Sequence, residues 1–406
     1  MERNLLSSPC CMRALSLEEQ LLVAFSRINP DIDEINNLLA HPLDWHFIQE
    51  RASLHGLVPL VYHHLGRLHM EVIPSWIIES FRQGYYENLA RNLTLFQELN
   101  KILKALNDHG IEVIVLKGAA LLETIYRNPA LRPLSDLDIL VKRQDLSKAE
   151  RCLLDLGYSI AGIEFSRWWA ERFAGERLYV KGTDLPVYVD MHWYITNYVW
   201  IYNDRRQANR IWSRAQIVKI AGTNALSLSV EDLILHISIH FAKHLKFRLI
   251  WLRDIGEIIR HYQERIDWKE IVTVSRQLGI EGVMYYTLKH TQELLKVRVP
   301  EKVIARFDSA QINTLEKKFF NLHINSNEVE IDNIKLLYQY FKIPKISEKI
   351  KFLFCLAFPS LAYMRKRYSI PKSRLVYLYY LYRPCYIFYQ ASLTLFRLIR
   401  LLIAKG

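Results

Sequence analysis

Two acidic residues, Asp136 and Asp138, stand two positions apart in the segment 131–141 (LRPLSDLDILV). On a β-strand, residues i and i+2 point to the same face, so the two carboxylates would lie side by side. Like charges this close repel, and one carboxyl takes up a proton unless a cation lies between them. Magnesium suits such a pair because it prefers one or two carboxylates together with phosphate oxygens. The spacing therefore predicts a metal site, although an Asp-x-Asp pair is also a common arrangement of solvated surface carboxylates.

A third carboxylate, Asp190, follows the apolar run 187–189 (VYV), which is typical of a strand. Two adjacent acids and a third on a neighbouring strand are the ligands that a two-metal site requires. In such a site one ion holds a triphosphate, and the other activates the attacking hydroxyl. With suitable geometry, Asp190 would also accept the proton of that hydroxyl. Asp136, Asp138 and Asp190 are thus the predicted catalytic residues and metal ligands.

The elements that must position these acids form a small α/β unit. Gly110 and Gly118 bound a β-branched run, residues 111–116, that predicts a buried strand. Alternating and helical patterns then predict strands over 138–141, 178–181 and 186–191, and helices over 119–126 and 145–156. Helical periodicity dominates before this unit, over 14–110, and after it, over 229–297. The predicted fold class is α+β, mostly helical, with one small mixed sheet.

Further motifs surround the acids: Lys117-Gly118, Leu131-Arg132-Pro133, Leu156-Gly157-Tyr158, Asp190-x-His192-Trp193, Trp251-Leu252-x-Asp254 and Asp267-Trp268. Together with Asp136-x-Asp138 they resemble a bacterial nucleotidyltransferase family of the DNA polymerase β-like superfamily. The resemblance covers residues 15–300 approximately. It implies a small nucleotidyltransferase α/β domain that transfers a nucleoside monophosphate from a nucleoside triphosphate (NTP) to a hydroxyl. It also implies that Asp136 and Asp138 hold Mg²⁺, with Asp190 as the third acid.

The turn before the first helix of the α/β unit departs from the superfamily pattern. Relatives carry Gly-Ser there, and this chain carries Gly118-Ala119, so no hydroxyl is available for the phosphate. The ammonium group of Lys117 and the backbone N–H groups at the helix start, from Gly118 onward, would bind it instead. The alternative for Lys117 is a solvated residue at a strand end.

Two other side chains near the acids each have competing interpretations. Arg132 either reaches the triphosphate or braces the acids as a counter-ion. His192 orients Asp190, stacks near the base, or is a buried structural histidine. We take Lys117, Gly118, Arg132 and His192 as candidate nucleotide-binding residues.

His236, His240 and His244 recur every four residues and so share one helix face. They could form a metal-binding ladder together with Asp254. The alternative, which we favour, is an amphipathic helix that faces the α/β unit. His240 is then the candidate for lining the substrate cleft.

The charge of the chain is concentrated at its C-terminal end. Residues 342–406 contain thirteen Lys and Arg and a single acid, Glu348, whereas residues 1–341 are balanced at 41 basic and 41 acidic residues. Because the charges of residues 1–341 balance, this part of the chain is not expected to bind long nucleic acid. A hydroxyl of a small molecule or a protein is therefore favoured as the acceptor. The longest apolar run of the tail, 385–396, falls short of the roughly 20 residues that span a bilayer. Its pattern predicts two amphipathic helices, either packed on the body or lying on a membrane surface.

These patterns together predict four regions. They are a helical N-terminal region (1–104), a nucleotidyltransferase-like α/β domain (105–220), a helical domain (221–341) and a basic aromatic tail (342–406). Five scattered cysteines without a CxxC pair predict reduced thiols and a cytoplasmic protein, with peripheral membrane contact through the tail. The predicted activity is Mg²⁺-dependent nucleotidyl transfer. Two alternatives stay open: a catalytically inactive binding module of the same fold, and a membrane-associated scaffold acting through the tail.

Overall fold

The structure is a computed structural model that describes residues 15–27, 29–66, 72–162, 169, 175–195, 205–243, 248–307, 336, 340–341, 343, 345–370 and 374–403. Cys10, Cys11 and His244 lie outside the described residues.

Four short helices come first in the chain: α1 (Leu17–Ser26), α2 (Ile32–Leu39), α3 (Trp45–His55) and α4 (Val58–Leu65). Ser16, Asp31 and Asp44 cap the first three, because each side chain accepts a hydrogen bond from a backbone N–H of the first turn. Gly56, with φ of +70°, ends α3 in the left-handed conformation. The helical character predicted for this region is confirmed.

A helix of 34 residues, α5 (Ser75–Asp108), follows and belongs to two apolar cores. Ile77 and Phe81, near its start, pack with the residues of α1–α4. Its second half packs against the sheet through a stripe at helical spacing: Leu95, Leu99, Ile102, Leu103 and Leu106. The boundary predicted at residue 104 therefore falls within one continuous helix.

Seven strands form a mixed sheet in the order β3-β4-β5-β2-β1-β7-β6. The strands are β1 (Val113–Val115), β2 (Leu137–Val141), β3 (Ser159–Ile160), β4 (Glu176–Lys181), β5 (Val187–His192), β6 (Gln216–Ile220) and β7 (Thr223–Ser227). The central strand β2 runs antiparallel to β1 and parallel to β5, and β7 runs parallel to β1. The four predicted strands are confirmed, as is the α+β class. The sheet also includes β3, β6 and β7, and β7 extends it beyond the boundary predicted at residue 220.

Among the described residues, three helices connect these strands: α6 (Lys117–Leu121), α7 (Leu146–Asp155) and α8 (Arg205–Arg214). A π-helical turn, Leu122–Tyr126, continues α6. The described residues 228–307 then form α9 (Val230–Lys243), α10 (Leu249–Tyr262), α11 (Trp268–Leu278), α12 (Glu281–Leu295) and α13 (Glu301–Phe307). The tail contains α14 (Ile346–Ala357), α15 (Leu361–Arg367) and α16 (Val376–Ile403).

The two faces of the sheet are covered by different cores. Ile139 and Met191 lie in the core formed with α5 and α7, whereas Ile114 and Leu140 lie in the core formed by the N-terminal helices and α9–α13. Side chains alternate along a strand, so Asp138 shares the second face with Leu140. The N-terminal helices and α9–α13 thus build one core over that face. The division into four regions stays a prediction.

None of the helices in the described part of the chain is both long and apolar enough to cross a membrane.

Asn92, which is fully buried in α5, holds the loop that leads into β2. Its side-chain N–H₂ donates to the carbonyl oxygens of Pro129 (2.6 Å) and Arg132 (2.8 Å), and its oxygen accepts from the Leu134 N–H (3.2 Å). We predict that Asn92→Ala lowers the free energy of unfolding by about 2–3 kcal/mol, because three buried backbone groups lose their partner. Urea unfolding measures this. Asn107→Ala is the control, since exposed Asn107 makes one bond, to the Asn224 carbonyl; equal losses in the two variants would contradict the prediction.

Candidate active site

The pairing of β2 with β5 brings two of the predicted acids together. Asp138 lies directly opposite Asp190 in the parallel register, and both side chains extend from the same face of the sheet. His192, two residues further along β5, has a ring nitrogen close to both carboxylates. Among the described residues, Asp138, Asp190 and His192 form the one cluster whose ligand atoms lie close enough to hold a metal ion, within 4.8 Å of one another.

Asp136 lies just before β2 and stands apart from this cluster. Its carboxylate is partly exposed and accepts a hydrogen bond of 2.7 Å from the hydroxyl of Ser135. Burial, and then the negative charge of Asp138, raise the pKa of Asp136. Asp136 is therefore the acid of the three that most needs an added positive charge.

Two cationic side chains contact the paired carboxylates. The Nζ atom of Lys117 lies 2.5 Å from Oδ1 of Asp138. Nε2 of His192 lies 3.0 Å from that same oxygen and 3.3 Å from Oδ2 of Asp190. On its other side, Nδ1 of His192 lies 3.2 Å from Oε2 of Glu176 on β4. The site thus contains four carboxylates, those of Asp136, Asp138, Asp190 and Glu176, and two basic side chains, those of Lys117 and His192.

The ionisation of these groups follows from their contacts. Burial alone would raise the pKa of Asp138, but the charges and hydrogen bonds of Lys117 and His192 bring it well below its usual value. Burial opposes the charge of His192 too, yet Asp190 and Asp138 raise its pKa to about 10. The charge of His192 in turn lowers the pKa of Asp190, against the effect of burial. At neutral pH both aspartates and both bases are therefore charged.

Oδ1 of Asp190 is a buried atom with no hydrogen-bond partner among the described residues. A buried carboxylate oxygen left in this state is costly, and native structures usually satisfy such an atom with a protein group, an ordered water or an ion. The carboxylate of Asp190 belongs to the cluster that could hold a metal.

Lys117 reaches Asp138 from an unusual backbone conformation. β1 ends at Val115, the N–H of Leu116 donates to the Asp138 carbonyl (2.9 Å), and Lys117 then adopts φ of +47°. Residues other than glycine rarely adopt a positive φ. Backbone strain of this kind clusters at functional sites. Lys117 is buried, so the alternative of a solvated strand end is wrong.

Gly118 is required by the close approach of Arg132. A Cβ atom at position 118 would lie 2.1 Å from Nη1 of Arg132 and 2.4 Å from Cδ2 of Leu134. The neighbouring Ala119 is buried in the core on the opposite face of the sheet, among apolar residues. The Gly-Ala turn thus gives space to a guanidinium group.

Arg132 makes its hydrogen bonds with Asp254 of the helical core and with the Pro133 carbonyl of its own loop, and not with the acids of β2. Its Nε atom donates to both carboxylate oxygens of Asp254 on α10 (2.9 and 3.0 Å), and Nη2 donates to Oδ2 (2.8 Å). The Tyr126 hydroxyl donates to the same carboxylate, at 2.9 Å. Because Asp254 is satisfied by these donors, the proposed ladder of histidines with Asp254 does not form among the described residues.

The histidines of α9 have separate surroundings. His236 is buried, and burial and then the positive charges of Lys117 and His192 hold its pKa well below the usual value, so it is neutral. These two charges belong to the α/β unit, so α9 faces that unit as predicted, but residues 230–239 are all buried and the helix is therefore not amphipathic. His240 lies against Trp251, with ring centroids 5.0 Å apart, and is partly buried. Its role in a substrate cleft stays a prediction.

The model of a family described as uncharacterised nucleotidyltransferase matches residues 41–296. The chain belongs to this family. The matched residues run from just before α3 to the end of α12 and so include the acids, Arg132 and Asp254, but not α14–α16. No curated protein matches the chain.

Three site residues of this family member were not assigned a role by sequence reasoning. Glu176 precedes the predicted strand 178–181 by two residues, so continued alternation was the signal for placing it beside His192. Tyr126 matches the family resemblance, but nothing local indicated its contact with Asp254, 128 residues away. Asn92 gave no signal, because it acts on a loop around position 132 that is distant in the sequence.

The pair of Arg132 with Asp254 should dominate the stability of this family member. We predict that Asp254→Asn lowers the free energy of unfolding by about 3–5 kcal/mol, because it leaves a buried guanidinium without its counter-charge. The same change in an Arg132→Met background should cost much less, and a urea-unfolding double-mutant cycle measures the difference. Exposed Asp155→Asn serves as the control. Additive losses in the cycle would show that the two residues act independently.

Proposed function

We propose that the chain transfers a nucleoside monophosphate from an NTP to a hydroxyl of a small-molecule or protein acceptor. The observation that carries this proposal is the in-register pair of buried Asp138 and partly buried Asp190, with buried His192 beside them. Membership of the nucleotidyltransferase family supports the same reaction class. We also propose that the family lies within the DNA polymerase β-like superfamily, as the motifs imply.

The residues at the site fit a divalent cation. Asp138 and Asp190 offer the hard carboxylate oxygens that Mg²⁺ prefers, and Oδ1 of Asp190 is a buried acceptor to which no described residue donates. Asp136 lies at the partly exposed edge and would complete the set. Mg²⁺ bound there would supply positive charge to the triphosphate and to the leaving pyrophosphate.

The other roles in the reaction belong to residues of the chain itself. The acceptor hydroxyl attacks the α-phosphorus, the bond to the bridging oxygen breaks, and pyrophosphate leaves. Asp190 accepts the hydroxyl proton, and His192, held between Asp190 and Asp138, keeps that carboxylate ionised and oriented. Lys117 is the ammonium group nearest the acids and would move from Asp138 to the phosphates. Gly118 and Arg132 act structurally in this scheme, through their mutual contact.

A second candidate is a binding module of the same fold that has lost its activity. Two observations favour it: Ala119 replaces the phosphate-binding serine and lies in the core, and Lys117 already neutralises Asp138. Such a module would bind an NTP without releasing pyrophosphate.

We predict that the chain binds an NTP only in the presence of Mg²⁺, and that Asp136→Asn/Asp138→Asn abolishes the binding by removing two proposed ligands. Calorimetric titration of ATP, GTP, CTP and UTP measures this and identifies the base. Exposed Asp155→Asn should bind like the original chain. Absence of binding by a folded protein would overturn both candidates. Pyrophosphate release on incubation with a small-molecule extract then separates the enzyme from the inactive module.

Replacing Lys117 tests its role as the resident counter-ion. We predict that Lys117→Met lowers the free energy of unfolding of the metal-free chain by about 3 kcal/mol, because Asp138 loses a buried cation. Added MgCl₂ should restore much of this loss, since the ion no longer competes with an ammonium group. Urea unfolding with and without MgCl₂ measures both effects. Lys181→Met, which removes a half-exposed partner of Glu98, is the control; a similar response of both variants to MgCl₂ would contradict the role.

A further inference from the structure

The tail helix α14 presents an apolar stripe to solvent. Ile346, Ile350, Leu353 and Phe354 are exposed and recur at positions i, i+4, i+7 and i+8, which is one face of a helix. The opposite face is occupied, because Phe352 and Leu356 are buried in a small core with Trp169 and Ile343. One side of α14 is thus packed against the small core, and the other side exposes large apolar side chains to solvent.

A longer stripe runs along α16. Leu378 is followed by three adjacent pairs of exposed apolar or aromatic residues that recur every seven residues: Leu381 and Tyr382, Phe388 and Tyr389, and Leu395 and Phe396. This spacing keeps them on one face over roughly 27 Å of helix. The start of α16 adjoins the end of α14, since Phe358 and Tyr380 stack with their ring centroids 6.4 Å apart. We call the two stripes together the tail surface.

The charge around the tail surface limits what can cover it. Residues 342–406 carry thirteen basic side chains against one acidic side chain, and exposed Lys345 and Lys351 belong to the start and middle of α14, as exposed Lys366 and Arg367 belong to the end of α15. Two copies of this segment would repel each other, which argues against a dimer through this face. An anionic surface, in contrast, would gain from each nearby Lys or Arg.

The composition of the stripes favours a lipid bilayer as that anionic surface. Helices that lie in a membrane interface combine large apolar and aromatic groups on one face with basic residues beside them. Tyrosine suits this depth because its ring is apolar and its hydroxyl stays hydrated, and Tyr382 and Tyr389 lie within the longer stripe. Because no described helix can span a bilayer, the contact would be peripheral.

We propose that α14 and α16 dock the chain on an anionic membrane, with the tail surface inserted among the lipid headgroups. The family match ends before these helices, so the contact is a property of this chain outside the matched residues.

Vesicle co-sedimentation of the full chain tests the proposal. The chain should sediment with vesicles of phosphatidylcholine mixed with phosphatidylglycerol, bind vesicles of phosphatidylcholine alone far more weakly, and lose binding as salt is raised. Leu381→Ser/Phe388→Ser should weaken binding by roughly tenfold or more, because membrane burial of a single large apolar side chain is comparable to one decade of affinity.

A matched control distinguishes vesicle binding through the tail surface from nonspecific binding through any exposed apolar side chain. Leu185→Ser/Ile217→Ser removes side chains that are 76% and 81% exposed, compared with 75% and 76% for Leu381 and Phe388. This control should bind vesicles like the original chain. Equal losses in the two double variants, or equal binding to both kinds of vesicle, would overturn the proposal. So would sedimentation equilibrium showing a dimer that Leu381→Ser/Phe388→Ser dissociates, since a second copy would then occupy the surface.

Discussion

The repulsion between Asp138 and Asp190 is the constraint on which the site is built. Their strands are parallel and in register, so the two carboxylates are fixed side by side on a face that the helical core covers. Neither can move away, and burial strengthens the interaction because less water screens it. The structure meets this with a lysine in a strained backbone conformation and a histidine between the two acids. A sheet that needed only stability would carry apolar residues at these two positions, and the retained charges are therefore best explained by a ligand.

A second buried charge pair ties this face of the sheet to the helical core. Arg132 comes from the loop before β2, and Asp254 comes from α10, so their contact fixes the loop that carries Asp136. The adjacent Arg253 donates to the carbonyl oxygens of Ser26 and Arg27 at the end of α1. One turn of α10 therefore connects the N-terminal helices to the loop that carries Asp136. Gly118 belongs to the same arrangement, because any side chain there would displace the guanidinium group.

The sequence was sufficient for features that depend on neighbours along the chain. The β-branched run 111–116 and the Asp-x-Asp spacing each follow from local rules. It was insufficient where tertiary contacts decide. The hairpin of β6 and β7 is a stable part of the sheet because β7 pairs with β1, more than a hundred residues earlier. Arg132 was predicted either to reach the triphosphate or to brace the acids of β2, but its carboxylate partner is Asp254, 122 residues away. The π turn at 122–126 positions Tyr126 for the same contact and has no sequence rule of its own.

The distribution of charge separates the chemistry of the chain from its attachment. Residues 1–341 are balanced, and their buried charges are compensated in pairs, as at Lys117 with Asp138 and Arg132 with Asp254. The net charge of +12 arises entirely from the tail, where the basic residues lack acidic partners in the sequence. Because a compensated body exerts little long-range attraction, the orientation of the chain near an anionic surface would be set by the tail alone. The part of the chain around the site would then be neutral overall. A basic surface there would instead bind any triphosphate without selectivity.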